Sequence, residues 1–512
     1  MQYTHLMLNL TPIARLILGR HVKAARSWRG DNIRRVQLRQ LDYLTRKGER
    51  TEYGKAHGLK RTTDYAAFAA ALPVTGYPEI RNLVMTMVDG ATDVLWPGVC
   101  RRYAQSSGTS DGRSKFIPVT DDSLRLNHYP GAAAAVAHYL ANYPDSRLFS
   151  GRGFILGGSF ATRLQLPEGV KAGDLSAHLI EACGPLVDIY RVPPRDIALM
   201  EDWTQKVPAL VKASLKSNVT NISGVPSWFL TVLRAVIAEA GATTVHDVWP
   251  NLEVFFHGGI AMGPYRSQYA AITDSRMRYV ETYNASEGFF ACQDLREPGS
   301  MLLLLDAGVF YEFVPLDEAD DAQPAHAVPA WEVEEGRTYA LVITAPNGLW
   351  RYPIGDTVRI VSRDPLRIAI AGRTKAFINA FGEEVMVHNT DAALTRTCHK
   401  HRCQAHNYTV APVFADGGHR GRHQWLIEWE TPPADHAAFA ADLDSALRDE
   451  NSDYAAKRSG GIFLDPLEVI DARPGVFDDW LASTGKLGGQ RKIPRLSNDR
   501  RIIDAILSRN NG

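Results

Sequence analysis

The stretch Ser106-Ser107-Gly108-Thr109-Ser110-Asp111-Gly112-Arg113-Ser114-Lys115 packs hydroxyls, glycines, backbone N–H groups and a closing lysine into one short segment. A polyphosphate needs such a concave array of donors with little bulk, completed by a cation. The order is not the Walker pattern, because Ser114 stands before Lys115 and the residues that follow read as a strand. A ligand-free Ser/Gly-rich hairpin is the plain alternative, since these residues favour turns in any case. Three further segments bear on that choice. Tyr283-Asn284-Ala285-Ser286-Glu287-Gly288 offers an aromatic ring for stacking, a hydroxyl for phosphate and a carboxylate able to hold Mg²⁺ through oxygen. A helix start capped by Asn284 or Ser286 would use the same residues. In Trp350-Arg351-Tyr352-Pro353-Ile354-Gly355-Asp356, the aspartate could accept two hydrogen bonds from a ribose diol or merely close a tight turn. Arg491-Lys492-Ile493-Pro494-Arg495 sets cations in a Gly-rich C-terminal loop, either as a catalytic charge or as a solvated basic patch.

Together the four segments resemble the auxin-responsive promoter (Gretchen Hagen) family of acyl-acid amido synthetases, within the adenylate-forming ligases. Ser106 to Lys115 matches the family's SSGTS-x-G-x-x-K, and Tyr283 to Glu287 matches Y-x-A-S-E. Tyr352 to Asp356 follows Y-R-x-G-D, except that Pro353 stands where Arg is usual. Softer matches at Gly224-Val225-Pro226-Ser227-Trp228, Phe256-His257-Gly258-Gly259, Gly372-Arg373, Tyr454-Ala455-Ala456-Lys457-Arg458 and Lys492-Ile493-Pro494-Arg495 spread the likeness along most of the chain. The resemblance implies that Ser106, Ser107, Gly108, Thr109 and Ser110 hold the phosphates of ATP, with Lys115 supporting the loop. It implies that Tyr283 stacks on adenine beside a wall of Gly258 and Gly259, with Asn284 and Ala285 in the same nucleotide motif. Ser286 would touch the α-phosphate, Glu287 would coordinate Mg²⁺, and Asp356 would bind the ribose with Arg373 close by. Lys492 would reach the charge that develops during adenylation.

Those assignments agree with the chemistry. A carboxylate attacking the α-phosphorus piles negative charge on phosphate oxygens, so the protein chiefly positions and neutralises. An amine, an amino acid in the resembled family, would then take the acyl group. An acyl-CoA or carrier-protein ligase shares the first half-reaction, and a non-catalytic nucleotide-binding protein is a third reading. Retention of Glu287, Asp356 and Lys492 together speaks against the third.

The elements that must position these residues are those of an α/β protein. Its expected form is a large adenylate-forming ligase-like N-terminal domain, residues 1–372, with β-sheets flanked by helices, and a small α+β lid, residues 373–512. Such a division is expected because one hydrophobic core stops growing near about 250–300 residues and the chain has 512. Helices are expected up to about Leu59, with strands at Arg101–Gln105 and Lys115–Val119. Thr120 should cap a helix that carries Asp121 and Asp122 in its first turn. Thr204 to Ala240 reads as mostly helical. Strands are expected at Leu252–Phe256, Met277–Tyr283, Met301–Leu305, Val309–Val314, Thr338–Thr344 and Thr357–Val361, and Asp317–Pro329 reads as a surface loop. The lid should hold a helix capped near Asn389, strands at Tyr408–Phe414 and Gln424–Glu430, a helix over Ala434–Asp449 and a strand near Leu467–Ile470.

Lys+Arg and Asp+Glu balance at 57 each, so no global field recruits nucleic acid or an anionic membrane. Five cysteines make no disulfide framework and point to a reducing cytoplasm. The basic, amphipathic N-terminus is interrupted by Pro12, Arg15 and Arg20 and lacks a continuous apolar stretch, so it reads as a surface helix rather than a targeting segment. Cys398-His399-Lys400-His401-Arg402-Cys403 has zinc-ligand types at a spacing uncommon for structural zinc. Gly157-Gly158-Ser159-Phe160-Ala161 lacks the final glycine of a nucleophile elbow.

Overall fold

The apolar runs between residues 100 and 373 pair into two sheets. A computed structural model of the chain describes residues 8–106, 115–160, 162, 165–260, 262–316, 327–373, 377–415, 420–483 and 493–510. The chain forms two compact units, one of Met1–Ser106 with Lys115–Thr374 and one built on Lys375–Gly512.

The strands of the first unit are β1 Arg102–Ser106, β2 Lys115–Pro118, β3 Arg152–Ile155, β4 Lys171–Gly173, β5 Arg191–Val192, β6 Val219–Gly224, β7 Val254–His257 and β8 Arg278–Ala285. They continue with β9 Gly288–Cys292, β10 Met301–Leu303, β11 Phe310–Pro315, β12 Val328–Pro329, β13 Thr338–Ala345, β14 Leu349–Arg363 and β15 Leu366–Arg373. A small sheet has the order β2-β1-β4, and a large one runs β12-β11-β13-β14-β15-β10-β9-β8-β7-β6-β3-β5. From β5 to β8 the large sheet is parallel. From β8 to β12 it is antiparallel. Parallel pairing needs long crossovers, which the helices Trp203–Ser214 and Pro226–Ala240 supply on either side of β6. The carboxyl ends of β3, β6, β7 and β8 therefore share one edge, the edge at which open α/β sheets bind ligands.

Thr204 to Ala240 is mostly helical, as expected, with β6 between its two helices; Val219, Thr220 and Ile222 are buried between sheet neighbours, and that burial overrides local helical preference. Other expectations need correction. Trp350 to Asp356 does not precede a strand but lies within β14, the longest in the structure described. Asp317–Asp320 and 321–326 lie outside the described residues, and Val328–Pro329 forms a short strand rather than loop. Thr120 caps as expected, its Oγ1 accepting from Ser123 N at 2.9 Å.

Buried charge fixes β14 in place. Arg351, at a φ of 42°, directs Nε and Nη2 to the Glu312 carboxylate of β11, with Nη2 to Oε1 at 2.8 Å. Its Nη1 donates to the carbonyls of Leu72 (2.7 Å) and Ala69 (3.0 Å), and Tyr65 Oη donates to Glu312 at 2.9 Å. Both charged side chains are buried.

In the second unit, β16 Phe377–Ile378 pairs with β17 Val385–Met386. A three-stranded sheet joins β18 Gln404–Val413, β19 Arg422–Thr431 and β20 Glu468–Ala472, antiparallel then parallel. The helices Val387–His401 and His436–Glu450 begin with Asn389 accepting from Met386 N and Asp435 accepting from Ala438 N. His401 pairs with Asp442 at 2.7 Å, and among the described residues no group of three or more His, Cys, Asp or Glu is placed to hold a metal.

Burial holds His128 and His178 at a pKa of about 4, against 6.5 for a free imidazole. His178 Nε2 donates to the Tyr103 carbonyl on β1 at 2.8 Å, so this imidazole braces the strand that leads to Ser106. Below pH 6.5 the unfolded chain binds protons that the folded chain refuses, so stability falls as pH drops from 6.5 toward 4, by on the order of 2–3 kcal/mol per residue. In urea titrations across that window, His178→Gln, which keeps a donor for Tyr103, should show a shallower loss than the parent. An unaltered slope would exclude His178 from the titration.

Candidate functional site

Two hairpin tips meet at the edge where the sheet changes from parallel to antiparallel. In the first, Ala285 pairs with Gly288, which leaves Ser286 and Glu287 as the entire turn between β8 and β9. Glu287 is buried, and its carbonyl accepts from Asn347 Nδ2 at 3.0 Å. Asn347 belongs to the second tip, the turn joining β13 to β14, where Gly348 adopts a φ of 86°. A Cβ on Gly348 would lie 2.7 Å from Leu95 Cβ, so only glycine fits. The neighbouring Pro346 carbonyl accepts from Thr120 Oγ1 at 2.5 Å. The residue that caps the helix after β2 thus also clamps the turn that clamps Glu287.

Behind these tips, Tyr283 Oη donates to Asp356 Oδ2 at 2.7 Å, both residues being buried. A bulge aims Asp356 there. The register passes from Val342↔Pro353 to Ala340↔Thr357, so one residue of β13 stands opposite three of β14, with Gly355 at a φ of 96° among them. The Tyr283 ring also meets Phe290 edge-on, with centroids 5.1 Å apart. On the same strand, Tyr352 Oη accepts from Lys115 Nζ at 3.2 Å. Gly258 lies so close to β8 that a Cβ would be 2.4 Å from the Thr282 carbonyl and 3.1 Å from Asn284 Oδ1. Gly259 follows at a φ of 82°, and Thr282 Oγ1 donates to the His257 carbonyl at 3.1 Å.

The structure therefore brings Lys115, Gly258, Gly259, Tyr283, Asn284, Ala285, Ser286, Glu287 and Asp356 into one connected set. Ser106 ends β1 in register with Lys115. Arg373 is the register partner of Asp356 on β15, its side chain lying outside the description. Ser107, Gly108, Thr109, Ser110 and Lys492 lie outside the described residues. An aromatic ring, a bonded carboxylate, a second carboxylate in a tight turn and a tethered lysine make an arrangement suited to a nucleotide.

The roles of Thr120, Asn347 and Tyr352 in this set were not legible beforehand. Asn347-Gly348 between apolar runs is a strong hairpin signal that pointed to the second tip. Lys206 gave no signal. It is fully buried, donates to the carbonyls of Gly157 (2.7 Å) and Gly158 (3.1 Å), and stands 4.6 Å from the Trp203 ring centroid. Asp174 Oδ2 accepts from Ser159 N at 2.7 Å, so the Gly157–Ser159 turn after β3 is held from two sides.

Comparison with known proteins fits this geometry. Residues 30–277, 302–373 and 388–501 match, in order, the GH3 family N-terminal domain, central domain and C-terminal domain. Indole-3-acetic acid-amido synthetase GH3.8 of Oryza sativa subsp. indica is 25% identical over 93% of this chain and 90% of its own length. Jasmonoyl--L-amino acid synthetase GH3.5 of Oryza sativa subsp. japonica is 23% identical over 64% of this chain and 68% of its own. Among solved structures, AtGH3.15 acyl acid amido synthetase in complex with 2,4-DB aligns at a TM-score of 0.60 with 16% identity, covering 95% of each chain. A 2-hydroxyisobutyryl-CoA ligase in complex with 2-HIB-AMP and CoA aligns at 0.54 with 14% identity, over 94% of this chain and 93% of its own. These two structures share their fold with this chain.

Two substitutions test the packing of the site. Tyr283→Phe deprives the buried Asp356 carboxylate of a donor and should destabilise the protein by about 1–3 kcal/mol in urea unfolding; no loss would mean that bond is not formed. Burial lowers the Lys206 pKa to about 8 from 10.5 against the pull of Asp174. The unfolded chain thus holds a proton that the folded chain lacks between those values, and stability gains with rising pH. The stability of the parent relative to Lys206→Met should rise from pH 8 to 10.5, and a constant difference would refute the shift.

Proposed function

The chain belongs to the GH3 family, and on that basis we propose that it joins a carboxylic acid to an amine, an amino acid by preference, through an acyl-adenylate made from ATP. The observation that carries this reading is the 2.7 Å bond that brings Tyr283 to Asp356 beside the Ser286–Glu287 turn. It sets a stacking ring against a diol-binding carboxylate, as adenosine requires. The backbone after Gly258 forms the wall of that adenine site, and Asn284 and Ala285 line its strand. Ser106 to Ser110 hold the phosphates, and Lys115, tethered to Tyr352, steadies the end of that loop.

Attack of the substrate carboxylate on the α-phosphorus expels pyrophosphate. Ser286 steadies the α-phosphate. Lys492 meets the added charge in the transition state, where preorganised donors contribute most. Glu287 fits Mg²⁺, a hard cation that takes one or two protein carboxylates and fills its shell with phosphate oxygens and water. When bound, the ion neutralises phosphate charge. The amine then attacks the acyl carbon and AMP leaves. We further propose that residues 1–372 and 373–512 act as domain and lid about Gly372–Lys375, letting one site serve both steps while water is excluded from the adenylate. Five unpaired thiols favour a reducing cytosol as the setting.

Acid-dependent ATP–pyrophosphate exchange across a panel of carboxylic acids, followed by mass spectrometry with amino acids or CoA, tests the proposal. Exchange with amide product and no CoA ester is the expected result. A CoA ester would make the chain a thioester-forming ligase, and silence with every acid despite bound ATP would leave a nucleotide-binding protein. Lys492→Ala should slow adenylation by about 10²–10³-fold with ATP affinity little changed; an unaltered rate would remove Lys492 from the chemistry.

A further inference from the structure

The helix Thr11–Ala25 is held on one side only. Arg15 Nη2 donates to the carbonyls of Tyr143 (3.3 Å) and Pro144 (3.0 Å), Leu10 N donates to the Phe149 carbonyl, and Thr11 Oγ1 accepts from Phe149 N at 2.9 Å. Its inner face packs on the helix Tyr129–Asn142. The outer face is apolar where solvent should favour polar groups: Ile13 is 56% exposed, Leu16 84% and Ile17 57%, with Leu8 at 75% just before the helix. Of the ten large apolar residues exposed among the described residues, these four fall within ten positions. Isolated exposed aliphatics need no explanation, but a contiguous cluster does.

The charge beside this cluster is equally uneven. Residues 1–30 contain Arg15, Arg20, Lys23, Arg26 and Arg29 and no Asp or Glu, whereas the rest of the chain carries 52 Lys+Arg against 57 Asp+Glu. Arg20 and Lys23 continue the i, i+3, i+4, i+7 row begun by Ile13, Leu16 and Ile17, so they share its face. Arg20, Lys23, Arg26 and Arg29 are exposed, and among the described residues none of them pairs with a carboxylate. An apolar stripe that runs into unpaired cations is the pattern of a helix lying in a lipid interface.

We propose that this helix docks the protein peripherally on an anionic phospholipid surface, Leu8, Ile13, Leu16 and Ile17 entering the acyl boundary while Arg20 and Lys23 meet phosphate headgroups. Contact is peripheral because no helix among the described residues is long and apolar enough to cross a membrane. A second copy of the chain is the poorer occupant. Two such faces would bring their cations together, and a handful of aliphatic residues falls well short of the roughly 20–30 residues a side that a stable dimer uses.

The test is flotation of the full-length protein with large unilamellar vesicles of phosphatidylcholine alone or mixed with phosphatidylglycerol. The parent should float with the anionic vesicles, should stay behind with phosphatidylcholine alone, and should be released as salt is raised. Two variants separate the contributions: Leu16→Ser with Ile17→Ser, and Arg20→Ser with Lys23→Ser. Each should lower partitioning by roughly tenfold or more while thermal unfolding and ATP–pyrophosphate exchange match the parent. No flotation of the parent, or flotation equal in parent and variants, overturns the proposal. So does sedimentation showing a dimer that Leu16→Ser dissolves, since the face would then belong to a second copy.

Discussion

The ion pair between Arg351 and Glu312 is the interaction on which the site rests. A guanidinium and a carboxylate taken out of water lose several kcal/mol of hydration apiece, and only saturated hydrogen bonding offsets that loss. Here Arg351 spends its donors on Glu312 and on the carbonyls of Ala69 and Leu72, and Tyr65 completes the acceptor. The pair need not stabilise the fold relative to apolar substitutes. Its consequence is positional, because a strand that places Arg351 anywhere else strands a bare charge in the core. Tyr352 follows directly, and Asp356 comes five residues after Arg351, so the positions of the Lys115 contact and of the Asp356 carboxylate are inherited from that constraint.

Under the proposed function, the candidate site illustrates how a protein prepares for a highly charged substrate in a dry place. Its polar groups are held by each other before any ligand arrives: Tyr283 by Asp356, Asn347 by the Glu287 carbonyl, Thr120 by Pro346, Lys115 by Tyr352. Each link joins a different pair of segments. On the same reading, little reorganisation would remain to be done as charge develops, which is where electrostatic catalysis gains most of its advantage.

How much of this was legible in the sequence depends on the kind of information involved. Residue types picked out Lys115, Tyr283–Glu287 and Asp356, which the fold brings into one connected set. Strongly apolar runs such as Val254–His257 and Thr338–Ala345 located their strands within a residue or two. Two regions misled. Val219–Gly224 hides between helices and becomes a strand through burial on both faces, a tertiary effect that no local pattern records. In β14, Pro353 and Gly355 look like a chain reversal, yet Pro353 pairs in register with Val342 at the edge of a bulge and Gly355 sits within it, where its positive φ is tolerated. Lys206 was illegible for a deeper reason: a lysine on an amphipathic helix gives no hint that its ammonium will be buried against two carbonyls.

The turn of two residues between β8 and β9 has a consequence for how such chains can diverge. Successive side chains of a strand alternate between faces, so an insertion of one residue before Ser286 would trade every inward group of Tyr283–Ala285 for its outward neighbour. Loops elsewhere can lengthen and drift as the acid being handled changes. This hairpin has no such slack: across a lineage its length should stay frozen even where its letters vary, like the pitch of a screw thread that must still mate with an unchanged nut.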